Sequence, residues 1–326
     1  MTHGQTDGFY LGGVWRSGRC KLGLSALLMT FLGAVVQAAP PAAPKQNDEG
    51  PPEPMTVPLQ TRDGVLLKAT FYPGTKGKKT VPVVILHEWK AKRSDYKELA
   101  LFLQSKGHAV IVPDLRGHGD STQLRRGQER PQVLSALKTK KRDIEMMIRE
   151  DMEAVKRFLR DQNNAGELNI EKLCIVGVEM GAVVAANWAL DDWRWPELPT
   201  YKQGQDVKAL LLISPEMTVK GVSMAQAIDD ARLQGNLSIM LMVGQKDRKA
   251  LEATEKLENK LARFHPEPAE GESKDKKTLY VVKLDTTLQG AKLVNQTELK
   301  ADRIIAGFID LRLVDQSFPW SERRRP

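Results

Sequence analysis

Cysteine is almost absent: the 326 residues hold two, Cys20 and Cys174. A disulfide-stapled fold is excluded, so the chain must stand on an apolar core, which 41% hydrophobic residues can supply at this length. Histidine is scarce too. His3, His87, His108, His118 and His265 are all there are, and any proton shuttle that uses imidazole must draw on them. Long hydrophobic runs are missing except at Leu22 to Val36, which is shorter than the roughly 20 residues a spanning helix needs. There are no internal repeats. The basic clusters at 76–79, 90–93, 138–142 and 323–325 have no aromatic interleaving and no nucleic-acid motif beside them, so no nucleic-acid partner is expected. They are solvated faces or candidates to meet an anionic surface.

The N-terminal segment reads as an export signal. Arg16, Arg19 and Lys21 precede the apolar run, and Val36-Gln37-Ala38 then offers a small-x-small cleavage pattern. Residues 1–39 are expected to be a signal peptide cleaved near Ala38, which delivers the protein to the periplasm or the medium; an uncleaved anchor is the alternative. Cys20 lies before the apolar run, which argues against a lipid-anchored cysteine. The segment holds three basic side chains and one acidic one (Asp7), so its loss would change the formal charge from +8 to +6. Residues 40–55 are Pro-rich and polar and are expected to be a disordered linker. A single domain is expected over 56–314, followed by a basic tail at 315–326.

Within that domain, strands and helices alternate. Apolar runs at 80–86, 108–112, 173–176, 207–213, 237–243 and 279–284 lack period-two alternation and predict strands buried on both faces. Helical spacing appears at 96–105, 141–160, 180–190, 251–264 and 299–313, and more weakly at 223–233. Asp143 is the expected N-cap of the second of these helices. Val57 to Gln60 and Val65 to Tyr72 flank Arg62-Asp63-Gly64, a hairpin signal. This order implies a mostly parallel twisted sheet covered by helices on both faces. The interval after Ile213 is too short for a large cap, so any ligand site should be open.

Three motifs stand at strand ends. Leu173-Cys174-Ile175-Val176-Gly177-Val178-Glu179-Met180-Gly181 runs a strand into a Gly-x-x-x-Gly turn and then a helix. Asp114-Leu115-Arg116-Gly117-His118-Gly119-Asp120-Ser121 follows another strand, and Val243-Gly244-Gln245-Lys246-Asp247 a third. Together they resemble the α/β-hydrolase superfamily, the serine esterases and peptidases, over roughly Thr56 to Val314. The resemblance implies an α/β-hydrolase fold with the first motif as its nucleophile elbow, the second as a D-x-R-G-x-G-x-S loop and the third as the segment delivering the triad acid.

The chain departs from that family where chemistry is done. Glu179 takes the nucleophile position, Asp247 matches the acid, and Gln289 stands where the base histidine belongs; an amide cannot shuttle a proton. The Met180 N–H would be one oxyanion donor, and the loop His87-Glu88-Trp89 would border the other. Glu88 there replaces a common glycine and is expected to turn outwards. Beside a helix N-terminus, Glu179 is expected to be ionised with a lowered pKa. No cofactor is implied, and no spacing imitates a metal motif, although Glu88, Glu179, Asp247 and His87 can be read as one cluster for a divalent metal or a cationic ligand. The expectation is an exported protein with a degenerate triad that binds an unknown ligand or protein. The alternative is a non-standard esterase or peptidase-like hydrolase with a rearranged site.

Overall fold

The computed structural model describes residues 50–125, 132–196, 198, 201–269 and 276–323. The expected signal at 1–39, linker residues 40–49 and the last basic residues, Arg324 and Arg325, lie outside the described residues.

The domain opens with an antiparallel hairpin, β1 (Met55–Gln60) and β2 (Val65–Tyr72), turned at Gly64 with φ of +97°. β3 (Pro82–Leu86) leads through α1 (Lys97–Ser105) to β4 (Ala109–Pro113), and two-residue strands β5 (Gln123–Leu124) and β6 (Gln132–Val133) follow. A long helix comes next: α2 (Lys141–Met146) passes through a π-helical turn at Met147–Asp151 into α3 (Met152–Asn164). Then come β7 (Leu173–Val178), α4 (Met180–Arg194) and β8 (Val207–Ile213). A small hairpin, β9 (Thr218–Val219) and β10 (Val222–Ser223), precedes α5 (Ala225–Ile228) and α6 (Ala231–Asn236). The chain closes with β11 (Ser238–Gly244), α7 (Arg248–Leu261), β12 (Leu279–Leu284), α8 (Gly290–Val294) and α9 (Ala301–Ile309), the last running into a π-helical turn at Asp310–Val314.

The main sheet has the order β12-β11-β8-β7-β3-β4-β2-β5-β6, with β1 also paired to β2. The six strands from β12 to β4 are parallel, while β2 joins β4 antiparallel. The unalternating apolar runs are explained by the core. Val84 and Leu86 of β3, Ile175 of β7 and Leu210 of β8 pack on the face covered by α3, α4 and α7. Their neighbours Val83, Ile85, Cys174, Val176 and Leu211 pack on the opposite face, against α1, α8 and α9. A strand buried on both faces has no side that can afford a polar residue. Burial also pushes the Cys174 thiol pKa up, so this cysteine is an inert core residue.

Several expectations need correcting. The N-cap of α2 is Lys140, not Asp143; Asp143 sits one turn in, and its carboxylate accepts the Lys140 N–H at 2.8 Å. The weak helix at 223–233 is two short helices, broken where extended Asp230 caps the second by accepting the Arg232 N–H at 3.0 Å. The expected boundary at residue 55 shifts, since β1 already starts at Met55 and the Pro52 carbonyl accepts from Gln104 Nε2 at 2.8 Å. Nor does the domain stop at Val314. The Phe318 and Ser321 carbonyls accept from Asn169 and Asn163, and Arg323 is buried. Among the described residues no helix is long and apolar enough to cross a membrane.

Candidate functional site

The elbow is built as its glycines require. β7 ends at Val178, α4 begins at Met180, and Glu179 between them is held at φ +46°, ψ −108°. That is a strained left-handed conformation for a residue with a Cβ. It is held by the Glu179 N–H, which donates to the Ile213 carbonyl at 2.9 Å, and by the Ala182 N–H, which donates to the Glu179 carbonyl at 3.0 Å. A Cβ on Gly177 would stand 2.6 Å from the Ala182 Cα, and one on Gly181 would collide with the Leu86 carbonyl. Only glycine lets the helix start come this close to β3 and β7.

Glu179 is half-buried among other carboxylates. A Cβ on Gly290 (φ +58°) would lie 3.0 Å from Glu179 Oε1 and 3.1 Å from Glu88 Oε1, so both acids press on the same glycine. Glu88 therefore turns inwards, against expectation: one oxygen accepts from the Tyr96 hydroxyl and the other from the Ala291 N–H at 3.2 Å. Burial first, and then repulsion from Glu88, Glu216 and Asp247, pushes the Glu179 pKa up to about 7. The direction is opposite to the expected lowering, with burial the larger cause and like charge the smaller.

This shift has a consequence for stability. With the folded pKa above the unfolded one, the native state holds the extra proton, so stability falls as pH rises from about 4.5 towards 7 and stays lower beyond. Glu179→Gln is expected to leave the urea midpoint unchanged near pH 4.5. At pH 8 it should raise unfolding free energy by about 1 kcal/mol, less than the shift alone implies because the group is partly exposed. An equal effect at both pH values would contradict the assignment.

Gln289 occupies the expected base position but is locked into the scaffold. Its Nε2 donates to the Gly244 carbonyl at 2.8 Å, and its Oε1 accepts from Ser214 Oγ at 2.6 Å. Ser214 in turn accepts the Gly290 N–H at 3.2 Å. Asp247 caps α7, its carboxylate accepting the Ala250 N–H at 3.1 Å. None of the hydrogen bonds made by the described histidines reaches this carboxylate.

The histidines are committed elsewhere. His87 is fully buried; its Nδ1 pairs with the Glu88 carbonyl at 2.7 Å, and its Nε2 accepts the Leu115 N–H at 3.0 Å. That second bond makes Nδ1 the protonated nitrogen, and burial and the neighbouring His118 hold the ring neutral, with its pKa near 4. His118 packs 4.9 Å from it, centroid to centroid, and pairs with the Arg116 carbonyl. His108 lies buried near Asp310, and His265 pairs with Thr278.

Of the residues expected to bind ligand, Glu88 joins Glu179, whereas the Met180 side chain is buried and contributes only its N–H at the start of α4. Trp89 sits apart. Its indole N–H donates to the Ala136 carbonyl at 3.0 Å, and Lys220 lies 4.1 Å over its ring. The open cleft beside the elbow, about 470 Å³, is lined instead by Glu179, Ser214, Glu216, Asp247, Glu252 and Gln289, with Lys249 and Lys256 on the α7 side. Sequence reasoning missed Ser214 and Glu216. Their signal was position, since both follow directly on the C-terminal end of β8. Among the described residues, no group of three or more His, Cys, Asp or Glu is arranged to hold a metal ion.

The Asp114 to Ser121 loop is structural. Asp114 accepts from the Arg93 N–H and side chain and from the Asp120 N–H, and it packs where a Cβ on Gly119 would stand. Ser121 Oγ accepts the Lys68 N–H at 2.8 Å. Arg116 bridges Asp151 and Asp63.

Comparison with known proteins agrees with this frame. Residues 77–308 match the family described as serine aminopeptidase, S33. A stretch of 71 residues, 22% of this chain, is 36% identical to the non-heme chloroperoxidase of Burkholderia pyrrocinia and spans only 24% of that protein's length. The structure of a thermostable carboxyl esterase from Bacillus coagulans is similar with a TM-score of 0.56 and 12% identity, over 80% of this chain and 99% of the other. An esterase of Pyrococcus furiosus is similar with a TM-score of 0.53 and 15% identity, over 80% and 92% of the two chains. Identities this low speak for the fold alone, but the family match covers well over half of the sequence. The chain is thus a member of the serine aminopeptidase S33 family, within the esterase- and peptidase-like proteins of the α/β-hydrolase superfamily.

Proposed function

We propose that this protein is a catalytically degenerate member of its family that works as a binding or interaction module. The observation that carries the reading is the pair at the site: Glu179 on the elbow, and Gln289 held between Gly244 and Ser214 where an imidazole would have to swing. Acyl transfer through an elbow nucleophile needs a base within hydrogen-bond reach. Here the hydrogen bonds of His87, His118 and His265 go elsewhere, and His108 lies buried beside Asp310. The cleft suits a ligand that offers hydrogen-bond donors or positive charge, because four carboxylates against two lysines line it and Gln289 is already spent.

We also propose that the module acts outside the cytoplasm, on the strength of the basic, apolar and small-x-small pattern over residues 1–39. The basic clusters and an anionic surface remain part of that proposal. Intact-mass spectrometry of the natively produced protein after incubation with a fluorophosphonate tests both halves. The expected result is an N-terminus at Ala39 or Pro40 and no added mass. A covalent label within 177–181 would sink the degenerate reading, and a full-length mass would sink cleavage.

One observation favours a second reading, a rearranged hydrolase. A carboxyl whose pKa has been pushed up to about 7 is matched to general acid–base work near neutral pH. Ester or peptide turnover that disappears in Glu179→Ala would establish it.

A further inference from the structure

A second cavity, of about 280 Å³, lies at the opposite end of the sheet from the elbow. Its walls come from α3, from the turn between β1 and β2, from the segment just before β8, and from Arg323 near the C-terminus. It shares no residue with the acidic cleft. Where that cleft is acidic, this one is lined by six cations, Arg62, Lys156, Arg157, Arg160, Lys202 and Arg323, against the carboxylates of Glu153 and Asp206.

Part of that charge is accounted for. Lys156 pairs with Asp192 and Asp206, Lys202 with Glu171, and the Arg323 Nη2 with Glu171 and Asp206. What is left over is specific. Arg323 is 4% exposed, and its Nε has no hydrogen-bond partner. Arg157 Nη1 and Arg160 Nε are likewise buried without a partner, and all three residues line the same cavity. Arg160 makes no hydrogen bond or ion pair to any described residue. Buried guanidinium donors without acceptors are costly, and native proteins rarely keep three around one void without a use for them.

We propose that this cavity binds a phosphate group, carried by a small soluble phosphate or by a phospholipid head. A carboxylate is flat and is well served by the fork of one arginine. Three separate guanidinium groups, each with a donor to spare, match instead a tetrahedral group with three terminal oxygens. Arg157 is anchored by its Nη2, which donates to the Gln60 carbonyl at 2.6 Å, and its Nη1 is the donor left to spare. Trp195 and Tyr201 at its wall leave room for an organic substituent on the phosphate.

Thermal unfolding and calorimetric titration of the mature protein with sodium phosphate, at constant ionic strength set by sodium acetate, test the site. Saturable binding with a rise in melting temperature is expected. Arg160→Gln, which breaks no hydrogen bond or ion pair to a described residue, should weaken it about tenfold while leaving the phosphate-free melting temperature unchanged. Arg157→Gln provides a second variant with the same expected direction. Flotation with phosphatidylglycerol vesicles separates the sources: Arg160-dependent flotation assigns a lipid head, and its absence alongside phosphate binding assigns a soluble ligand. Equal phosphate effects in wild type and both variants, or an equal effect of acetate alone, would overturn the proposal.

Discussion

Replacing Arg116 with alanine should cost about 3–5 kcal/mol of unfolding free energy, read as a large fall in the urea midpoint. Arg116 is 5% exposed, and it holds together three parts of the chain distant in sequence. Its N–H and Nε donate to the two oxygens of Asp151 at 2.9 Å, and its Nη2 reaches Asp151 at 2.6 Å. The outer edge of the same guanidinium is bidentate to Asp63, at 2.8 and 3.1 Å. Asp151 is wholly buried at the end of the π-helical turn, where burial pushes its carboxyl pKa up and only Arg116 pulls it back. Removing the guanidinium leaves that carboxylate uncompensated in the interior, and this penalty outweighs the bonds themselves. Two checks follow from the cause. The loss should shrink in acid, where Asp151 protonates, and Arg116→Met combined with Asp151→Leu should lose less than Arg116→Ala alone. A single variant within 1 kcal/mol of wild type, roughly the level of a surface pair, would refute the argument.

Asp192→Ala is expected to be comparably damaging, again about 3–5 kcal/mol. One oxygen of Asp192 accepts from Lys156 Nζ at 2.5 Å, and the other accepts the N–H groups of Asp206 and Val207 at 2.7 and 3.1 Å. The side chain thus ties α3 to α4 and fixes where β8 enters the sheet. Truncation orphans two buried N–H groups and takes away one of two carboxylates facing a largely buried ammonium. Asp192→Asn keeps an acceptor for the backbone and should lose about half as much. Chemical denaturation of the two variants side by side measures the difference, and equal losses would place the cost in the charge alone.

Much of the fold was legible in the residues. β8 falls at 207–213 as its apolar run predicts, because Ala209 to Ile213 are buried without a break and so leave a continuous signal. β12 also falls at 279–284, but it is not buried on both faces as expected: it is the edge strand, only Leu279 is fully buried and Lys283 is exposed. The two-residue strands and α8 left no such signal. At two to five residues they are too short to show periodicity, and contacts made elsewhere impose them. The split between α5 and α6 shows the same limit: Asp229-Asp230 sits inside an apolar spacing that a single helix would also satisfy.

At the site the division is sharper. Gly177 and Gly181 announce the elbow because no side chain fits between α4 and the two strands, a demand local enough to be written into five consecutive residues. Glu179 on the elbow and Gln289 after the last strand are likewise legible from the residues alone. Orientation and electrostatics belong to the tertiary structure. Glu88 turns in because Tyr96 and Ala291 wait for it, one from the segment before α1 and the other from α8, 203 residues away. The Glu179 pKa is pushed up to about 7 by burial first, and then by Glu88, Glu216 and Asp247, which the ends of three strands crowd around it. The arginines of the second cavity, Arg62, Arg157, Arg160 and Arg323, come from three distant parts of the sequence, and only folding gathers them around one void. Local sterics can be read from neighbouring residues; a pKa or a binding cavity depends on groups that meet only once the sheet has formed.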